Sequence, residues 1–387
     1  MLDFALYRAS ESLAISSLDS WRQREMHYVD HFENTGFPVR VNNVSELGQI
    51  LDTMQENRFD KYMSELGGVS PEEFKQLIDA CKNFLSFLRT NFPNRQPFVP
   101  LSTMLSAAAV HFRLRAYNPN YSSLLEIGPG CGYVSFFLSN HGAMENYSQI
   151  EACESFYLLQ NLINVHVFRS KFLDFAYPDG KNADCFVSSS PNFEDLSLLD
   201  LPSEPERCRH YPWWKIGQLA SGGAVFDAVT SNANLLEFKP QARADYISLI
   251  KQVLKSDGVF YVQCTGFNAH GNVEDLFSQL YESGFAPLFS VQEGVPVEFE
   301  NNASTGLLKS LTRNKTTNIT FTVRTLVLVK ESHPLFKKYH HRKNFNHPFL
   351  AQEEQVKQMI LTRAKDRKVY SREDIIGEIL SAKSSEV

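Results

Sequence analysis

The sequence predicts an α/β protein: a doubly wound sheet preceded by a helical N-terminal domain. Three observations carry this reading. The run Ser123-Leu-Leu-Glu-Ile-Gly-Pro-Gly-Cys-Gly-Tyr-Val-Ser-Phe-Phe-Leu138 is a short apolar strand, a turn with glycine at every second position, and an apolar helix. That is the opening unit of an open α/β sheet, whose ligands lie at the carboxyl ends of the strands. From Tyr121 onward, runs with strand and helix character alternate, which calls for a largely parallel sheet. Before about residue 115 the apolar spacing is helical.

Taken in order, Ser45–Met63 and Pro71–Arg89 carry helical stripes. In the second, Phe74, Leu77, Ile78, Cys81, Leu85 and Leu88 share one face. Ser70 before Pro71, with Glu72 and Glu73 in the first turn, marks its start. The prolines of Phe92–Pro100 break the helices, and Ser102–Arg115 leads into the first strand. His111, Arg113 and Arg115 of that helix are expected at the surface, with the cleft edge as the alternative. A second strand fits Tyr147–Cys153, and Ser155–Asn164 reads as a helix burying Phe156, Leu159, Leu162 and Ile163. A third strand fits Asp184–Ser188, and the stretch from Pro191 to Gly223 reads as an irregular insertion containing His210-Tyr-Pro-Trp-Trp-Lys-Ile. Phe226–Ser231 gives the fourth strand, and Ala242–Leu254 an amphipathic helix stopped by Lys255-Ser-Asp-Gly258. Gly258–Cys264 gives the fifth strand, and Val273–Ser283 a helix capped by Gly284. The last strands fall near Ala286–Val291 and Thr320–Val329. The expected division is a helical domain over residues 1–118 (substrate cover or oligomerisation), a sheet domain over 119–332 and a basic, helical tail over 333–387. The tail carries His340, His341, Arg342 and Lys343, then a helix from about Glu353.

Composition excludes several classes. Of 387 residues, 43% are hydrophobic and 21% charged, ordinary values for a globular chain. The net charge of −6 and the lack of a long basic run argue against nucleic acid as a partner. No apolar run approaches the ~20 residues of a membrane helix. The N-terminus lacks the basic start and apolar core of a signal peptide, so a cytoplasmic setting is expected. Six scattered cysteines without CxxC pairs signal neither zinc nor a disulfide framework, and no metal is expected. Thirty phenylalanines exceed what a core alone requires and suit an aromatic-lined cleft, with a Phe-rich core as the plainer account.

The glycine spacing selects the ligand. Glycine has no Cβ and tolerates positive φ, so alternate glycines let the backbone approach a ligand closely, and the helix that follows points its first N–H groups at it. A dinucleotide fingerprint needs Gly-x-Gly-x-x-Gly, and Tyr133 stands where its third glycine belongs. Glu126-x-Gly128-x-Gly130-x-Gly132 instead resembles the class I S-adenosylmethionine-dependent methyltransferases. The resemblance covers roughly Tyr121–Lys330 and also rests on Phe226-Asp-Ala-Val-Thr-Ser-Asn232 and Leu254-Lys-Ser-Asp-Gly-Val-Phe-Tyr-Val262. It implies a Rossmann-like methyltransferase sheet, S-adenosylmethionine as cofactor, Gly128, Gly130 and Gly132 as its bed, and Glu126 toward its amino end. A carboxylate about 20 positions on binds ribose hydroxyls in nucleotide-binding folds. Glu151 and Glu154 both qualify; Glu151 is preferred, and the other is expected to face solvent. Asn232, ending the fourth strand, lies where the methyl group would be handed over.

The run Asn232-Ala-Asn-Leu-Leu-Glu237, preceded by Pro212-Trp-Trp-Lys-Ile, is similar to sugar O-methyltransferases within this class, although Phe238 replaces an expected methionine. On that resemblance Glu237 is the candidate for binding or deprotonating an acceptor hydroxyl, since burial can raise a carboxyl toward neutrality. His210, which titrates near working pH, is the second candidate. For Glu237 a helix start, and for His210 a loop hydrogen bond, are the plain alternatives. Trp213 and Trp214 would stack on a sugar face, wall the pocket or fill the core. The expected partner is a small molecule, with a homo-oligomer through the N-terminal helices. The competing functions are a nitrogen or carbon acceptor, a nicotinamide dehydrogenase, and a non-catalytic scaffold with this fold.

Overall fold

The computed structural model describes residues 2–17, 36–53, 57–176, 207–221, 223, 225–264, 273–292, 324–334 and 366–381. Among the described residues, five helices precede the sheet: α1 (Phe4–Ser17), α2 (Val44–Thr53), α3 (Phe59–Leu66), α4 (Pro71–Asn91) and α5 (Leu101–Tyr117). The chain continues through β1 (Ser123–Ile127), α6 (Val134–Leu138), β2 (Asn146–Glu151), α7 (Glu154–Phe168) and β3 (Phe172–Asp174). Next come β4 (Cys208–Pro212), α8 (Ile216–Ser221), β5 (Phe226–Asn232), α9 (Pro240–Val253) and β6 (Leu254–Cys264). The described elements end with α10 (Val273–Glu282), β7 (Phe285–Gln292), β8 (Arg324–Lys330) and α11 (Arg372–Ser381).

The eight strands form one sheet in the order β3-β4-β2-β1-β5-β6-β8-β7. From β3 to β6 neighbouring strands are parallel; β8 runs antiparallel to β6 and β7. The chain lays strands outward from β1 through β2, then returns to place β5 on the other side of β1. The fold is therefore doubly wound, and its topological switch point lies between the carboxyl ends of β1 and β5. Both faces are covered, which is why all five residues of β1 are buried. Leu125, Ile127, Ile150, Val229, Phe260 and Val262 pack against α8, α9 and α10 in one core. Leu124, Tyr147, Ala228, Tyr261 and Val327 belong to the other, which they share with helices α1 to α7 and α11.

Local signals mark several boundaries. Ser70 caps α4 in a reciprocal box: its hydroxyl accepts from the Glu73 amide, and the Glu73 carboxylate accepts from the Ser70 amide. Gly284 follows α10 at φ +83°. Four expectations are corrected. Cys208–Pro212 lies inside the stretch read as irregular, yet it forms β4 between β2 and β3. Helix α9 stops at Val253 rather than at Leu254, and β6 accordingly begins at Leu254 rather than at Gly258, because Leu254 already pairs with Phe226. Gly258 lies within β6, where a Cβ would stand 2.9 Å from the Asp227 carbonyl oxygen. His111 is not at the surface: it is buried, and its Nδ1 is 2.8 Å from the Tyr121 hydroxyl. The expected strand at Asp184–Ser188, the cluster His340–Lys343 and the helix from Glu353 lie outside the described residues. The described C-terminal segment returns to the N-terminal helices, where Arg367 pairs with Glu73 at 2.8 Å and Tyr370 stacks on Phe74. No described helix is long and apolar enough to cross a membrane.

Candidate functional site

At the switch point the turn after β1 lies beside the turn after β5. Gly128, Gly130 and Gly132 all adopt left-handed backbone, φ +62°, +59° and +73°. The surroundings of the three differ. A Cβ on Gly128 would stand 2.2 Å from Asn234 Nδ2, and one on Gly132 would stand 2.9 Å from Gln160 Cγ. A Cβ on Gly130 would meet nothing within 4 Å. Two glycines thus fit the turn to its own protein, while the middle one presents bare backbone to open space. Tyr133 does not obstruct that space; its ring is buried edge-on against Phe84.

Two buried carboxyls flank the turn. Glu126 is 1% exposed, and its Oε2 accepts from the Tyr147 hydroxyl at 2.5 Å. Burial pushes its pKa up to about 7, opposed by the bonds from Tyr147 and Gln149. Glu151 ends β2; its Oε1 accepts from the Ala152 and Cys153 amides. Gln160 Nε2 donates both to Glu151 Oε2 (2.9 Å) and to the Gly130 carbonyl (2.6 Å), fastening the turn onto α7. Burial raises the Glu151 pKa as well. Among the described residues no lysine or arginine pairs with either carboxyl, so a cationic group arriving beside the turn would be favoured by both.

Glu154 has a different environment from Glu151. It is 1% exposed rather than solvent-facing, and Arg8 of α1 reaches it at 2.8 Å while Arg40 also pairs with it. Arg40 pairs with Glu11 too, at 2.6 Å, and Glu11 accepts from the Trp213 indole. Tyr7 packs on Tyr157 and Trp214 with ring centroids 5.1 Å apart in both pairs. The cluster thus docks α1 onto the start of α7. Glu154→Ala would leave Arg8 without its anion and Arg40 with Glu11 alone; because Arg8 and Arg40 are 37% and 33% exposed, the expected loss of stability is about 2 kcal/mol. A urea midpoint equal to the wild type would show that the cluster does not hold α1.

Beneath the rim, the register aligns Asp174, His210, Gln149, Glu126, Thr230 and Tyr261 across β3, β4, β2, β1, β5 and β6. A polar row in a fully covered parallel sheet is satisfied internally or not at all; here most of it is, while His210 Nε2 and Thr230 Oγ1 find no partner among the described residues. Gln149 Nε2 donates to the Tyr147 oxygen (2.5 Å), Asn164 Nδ2 donates to Gln149, and the Ser135 hydroxyl donates to Asn164. Asn161 bridges Asp174 and His210 at 2.7 and 2.6 Å. His210 therefore lies in mid-strand, fully buried and stacked on Tyr157 at 3.9 Å. Burial drives its pKa well below the usual histidine value. It is not a loop residue and does not reach solvent.

The row makes stability pH-dependent. An unfolded Glu126 loses its proton near pH 4.5, whereas the folded one keeps it to about 7. Between these values the native state binds more protons, so this group's contribution falls as pH rises and levels off above about 7. Glu126→Gln should therefore gain in melting temperature relative to wild type between pH about 5 and about 8. A difference that stays constant over that range would rule out this titration.

On the other side of the switch point, Asn232 ends β5, paired with Cys264 and partly exposed. Ala233 takes φ +57°, a left-handed turn without glycine. Glu237 is 7% exposed in the turn that follows, and its amide donates to the Asn234 carbonyl at 3.0 Å. The fold thus gathers the glycines, Glu151, Asn232 and Glu237 at one rim, places Glu126 and His210 in the row below it, and turns Glu154 toward α1. Sequence reading missed Asn234 and Gln160. The signal for Gln160 was the polar run Gln160-Asn161, with Asn164, on an otherwise apolar helix.

No protein-family model and no curated protein matches the chain. Among solved structures it is similar to an amino pentose methyltransferase from Micromonospora echinaspora, with S-adenosylmethionine bound. That match has 17% identity and a TM-score of 0.25, and covers 41% of this chain but only 48% of the enzyme. It is also similar to the [4+2]-cyclase SpnF, at 13% identity and a TM-score of 0.36, over 59% and 83% of the two chains. A third is the 1,6-didemethyltoxoflavin N1-methyltransferase of Burkholderia thailandensis, with its substrate and S-adenosylhomocysteine bound. It shares 14% identity and a TM-score of 0.31, over 58% and 78%. At these TM-scores the matches decide neither reaction nor acceptor; the doubly wound topology stands on the strand order itself.

Proposed function

We propose that the chain is an S-adenosylmethionine-dependent O-methyltransferase acting on a hydroxyl of a sugar or another small metabolite. The observation that carries this reading is the turn at the switch point. Its middle glycine offers bare left-handed backbone to open space, between two buried carboxyls with which no described lysine or arginine pairs. A ligand with a positive charge and a nucleoside fits that chemistry. Gly128, Gly130 and Gly132 would form the bed, Glu126 would face the ammonium end, and Glu151 would receive the ribose hydroxyls. Glu151 is preferred to Glu154 because two arginines already engage the latter. When bound, S-adenosylmethionine supplies an electrophilic methyl group.

The protein's remaining task is to position an acceptor and remove its proton. Glu237, across the rim from the glycines, is assigned to hold the acceptor hydroxyl and take that proton. His210 has no route to solvent in this geometry and is assigned no proton transfer. Asn232 borders the space between cofactor and acceptor. Helix α1 is assigned a covering role, since it packs on Tyr157, Trp213 and Trp214 and so excludes water from that corner. A sugar acceptor, a cytoplasmic setting and a homo-oligomer through the helices before β1 belong to the same proposal.

Calorimetry with S-adenosylmethionine and S-adenosylhomocysteine tests the reading. Binding of both is expected; binding of neither would leave a scaffold with this fold. Binding of NAD instead would favour a dehydrogenase. A small-molecule extract screened with radiolabelled methyl donor would then identify the acceptor.

A further inference from the structure

We infer that Asn234 is a positioning residue that locks the glycine turn to the turn carrying Glu237, and that Asn234, acting on top of the left-handed φ of +62° and without help from the ligand, leaves no room for a Cβ at position 128. Asn234 Nδ2 donates to the carbonyl of Ile127, the last residue of β1, at 2.7 Å. Its Oδ1 accepts from the Ser231 hydroxyl on β5. Its backbone carbonyl accepts from the amides of Glu237 (3.0 Å) and Phe238 (3.1 Å). One residue therefore ties the end of β1, the end of β5 and the turn after β5, and it is only 8% exposed.

The backbone shows the cost of putting it there. Ala233 is held in the left-handed region at φ +57°, a conformation that strains a residue bearing a side chain. That reversal brings the next side chain back under β1. Gly128 then lies against Asn234: a Cβ would be 2.2 Å from Nδ2 and 3.3 Å from Cγ, but 3.8 Å from the asparagine Cβ, an ordinary contact. Shortening Asn234 to alanine therefore opens the space that a Cβ on Gly128 needs. Gly130 has no such neighbour. The three glycines consequently answer to different constraints, although the sequence pattern makes them look equivalent.

The ligand part of this inference rests on the proposed cofactor, and a double-mutant cycle separates the two. Affinity for S-adenosylhomocysteine and melting temperature are measured for wild type, Gly128→Ala, Asn234→Ala and the double variant. Gly128→Ala is expected to weaken binding about 100-fold and Asn234→Ala about tenfold. The double variant should bind at least about tenfold better than Gly128→Ala alone; two independent structural losses would add instead. Asn234→Ala should give no such relief to Gly130→Ala. Asn234→Asp keeps the shape and the Ser231 acceptor but loses the donor to Ile127, so alone it should weaken binding at least as much as Asn234→Ala, yet it should not relieve Gly128→Ala. A double variant no better than Gly128→Ala, or relief of Gly130→Ala, overturns the inference. If Gly128→Ala does not fold, a double variant that folds supports the inference and one that does not overturns it. If the wild type does not bind S-adenosylhomocysteine, the proposed function fails, and the same cycle read in melting temperature still decides the role of Asn234.

Discussion

Gly130→Val should abolish binding of S-adenosylmethionine, raising its Kd at least about 100-fold, or about 2.7 kcal/mol. Two effects combine. Valine is β-branched and would be forced to φ +59°, at a cost of about 1–2 kcal/mol borne by the protein itself. Its isopropyl group would also fill the open space where a Cβ now meets nothing within 4 Å. The two separate experimentally. Strain lowers the melting temperature of the ligand-free protein, whereas obstruction appears only in the affinity. Gly130→Ala carries most of the strain and less of the bulk, so it should fall between wild type and Gly130→Val. Gly217→Ala is the control: it lies in α8, its Cβ also meets nothing within 4 Å, and its affinity should match the wild type. Normal affinity in Gly130→Val would remove the ligand from this turn.

Glu237→Gln is expected to cut turnover by about 10²–10³ while leaving cofactor affinity within about twofold, as loss of a general base does. Glutamine preserves the shape of a side chain that is 7% exposed and leaves intact the amide bond to Asn234. The packing role open to any helix-start residue is therefore retained, and only the proton-accepting carboxylate is lost. The measurement is initial rate of label transfer at saturating donor, beside calorimetry with S-adenosylhomocysteine. Unchanged turnover would place the acceptor's proton elsewhere; lost affinity for the cofactor would make Glu237 a binding residue for the donor.

The parts of the fold legible in the sequence are those written locally. The strand, glycine turn and helix at Ser123–Leu138, the capping box at Ser70 and the Gly284 stop each depend on a few consecutive residues. Strand β4 was not legible. Its five residues include Arg209 and His210, show no clean period, and are held only by parallel pairing with β2 and β3. His210 illustrates the consequence: beside the Trp213-Trp214 pair it reads as a reactive loop residue, and the sheet buries it. Glu154 and Glu151 are close to interchangeable by spacing. They differ because Arg8, 146 positions earlier, folds onto one of them. Asn234 had no distinguishing mark, since the partner that ties it to the glycine turn, the Ile127 carbonyl, lies at the end of a strand 107 positions away.

By itself the chain determined that a doubly wound sheet forms and that a bare-backbone turn follows its first strand. Both come from periodicity and from glycine's freedom, which act over a few residues. Tertiary structure alone decided which glycine looks into empty space, which carboxyl stays beside the turn, and which polar groups disappear into a row beneath the sheet. Those outcomes depend on strand register and on burial, and burial is a property of what packs above a residue rather than of the residues next to it in sequence.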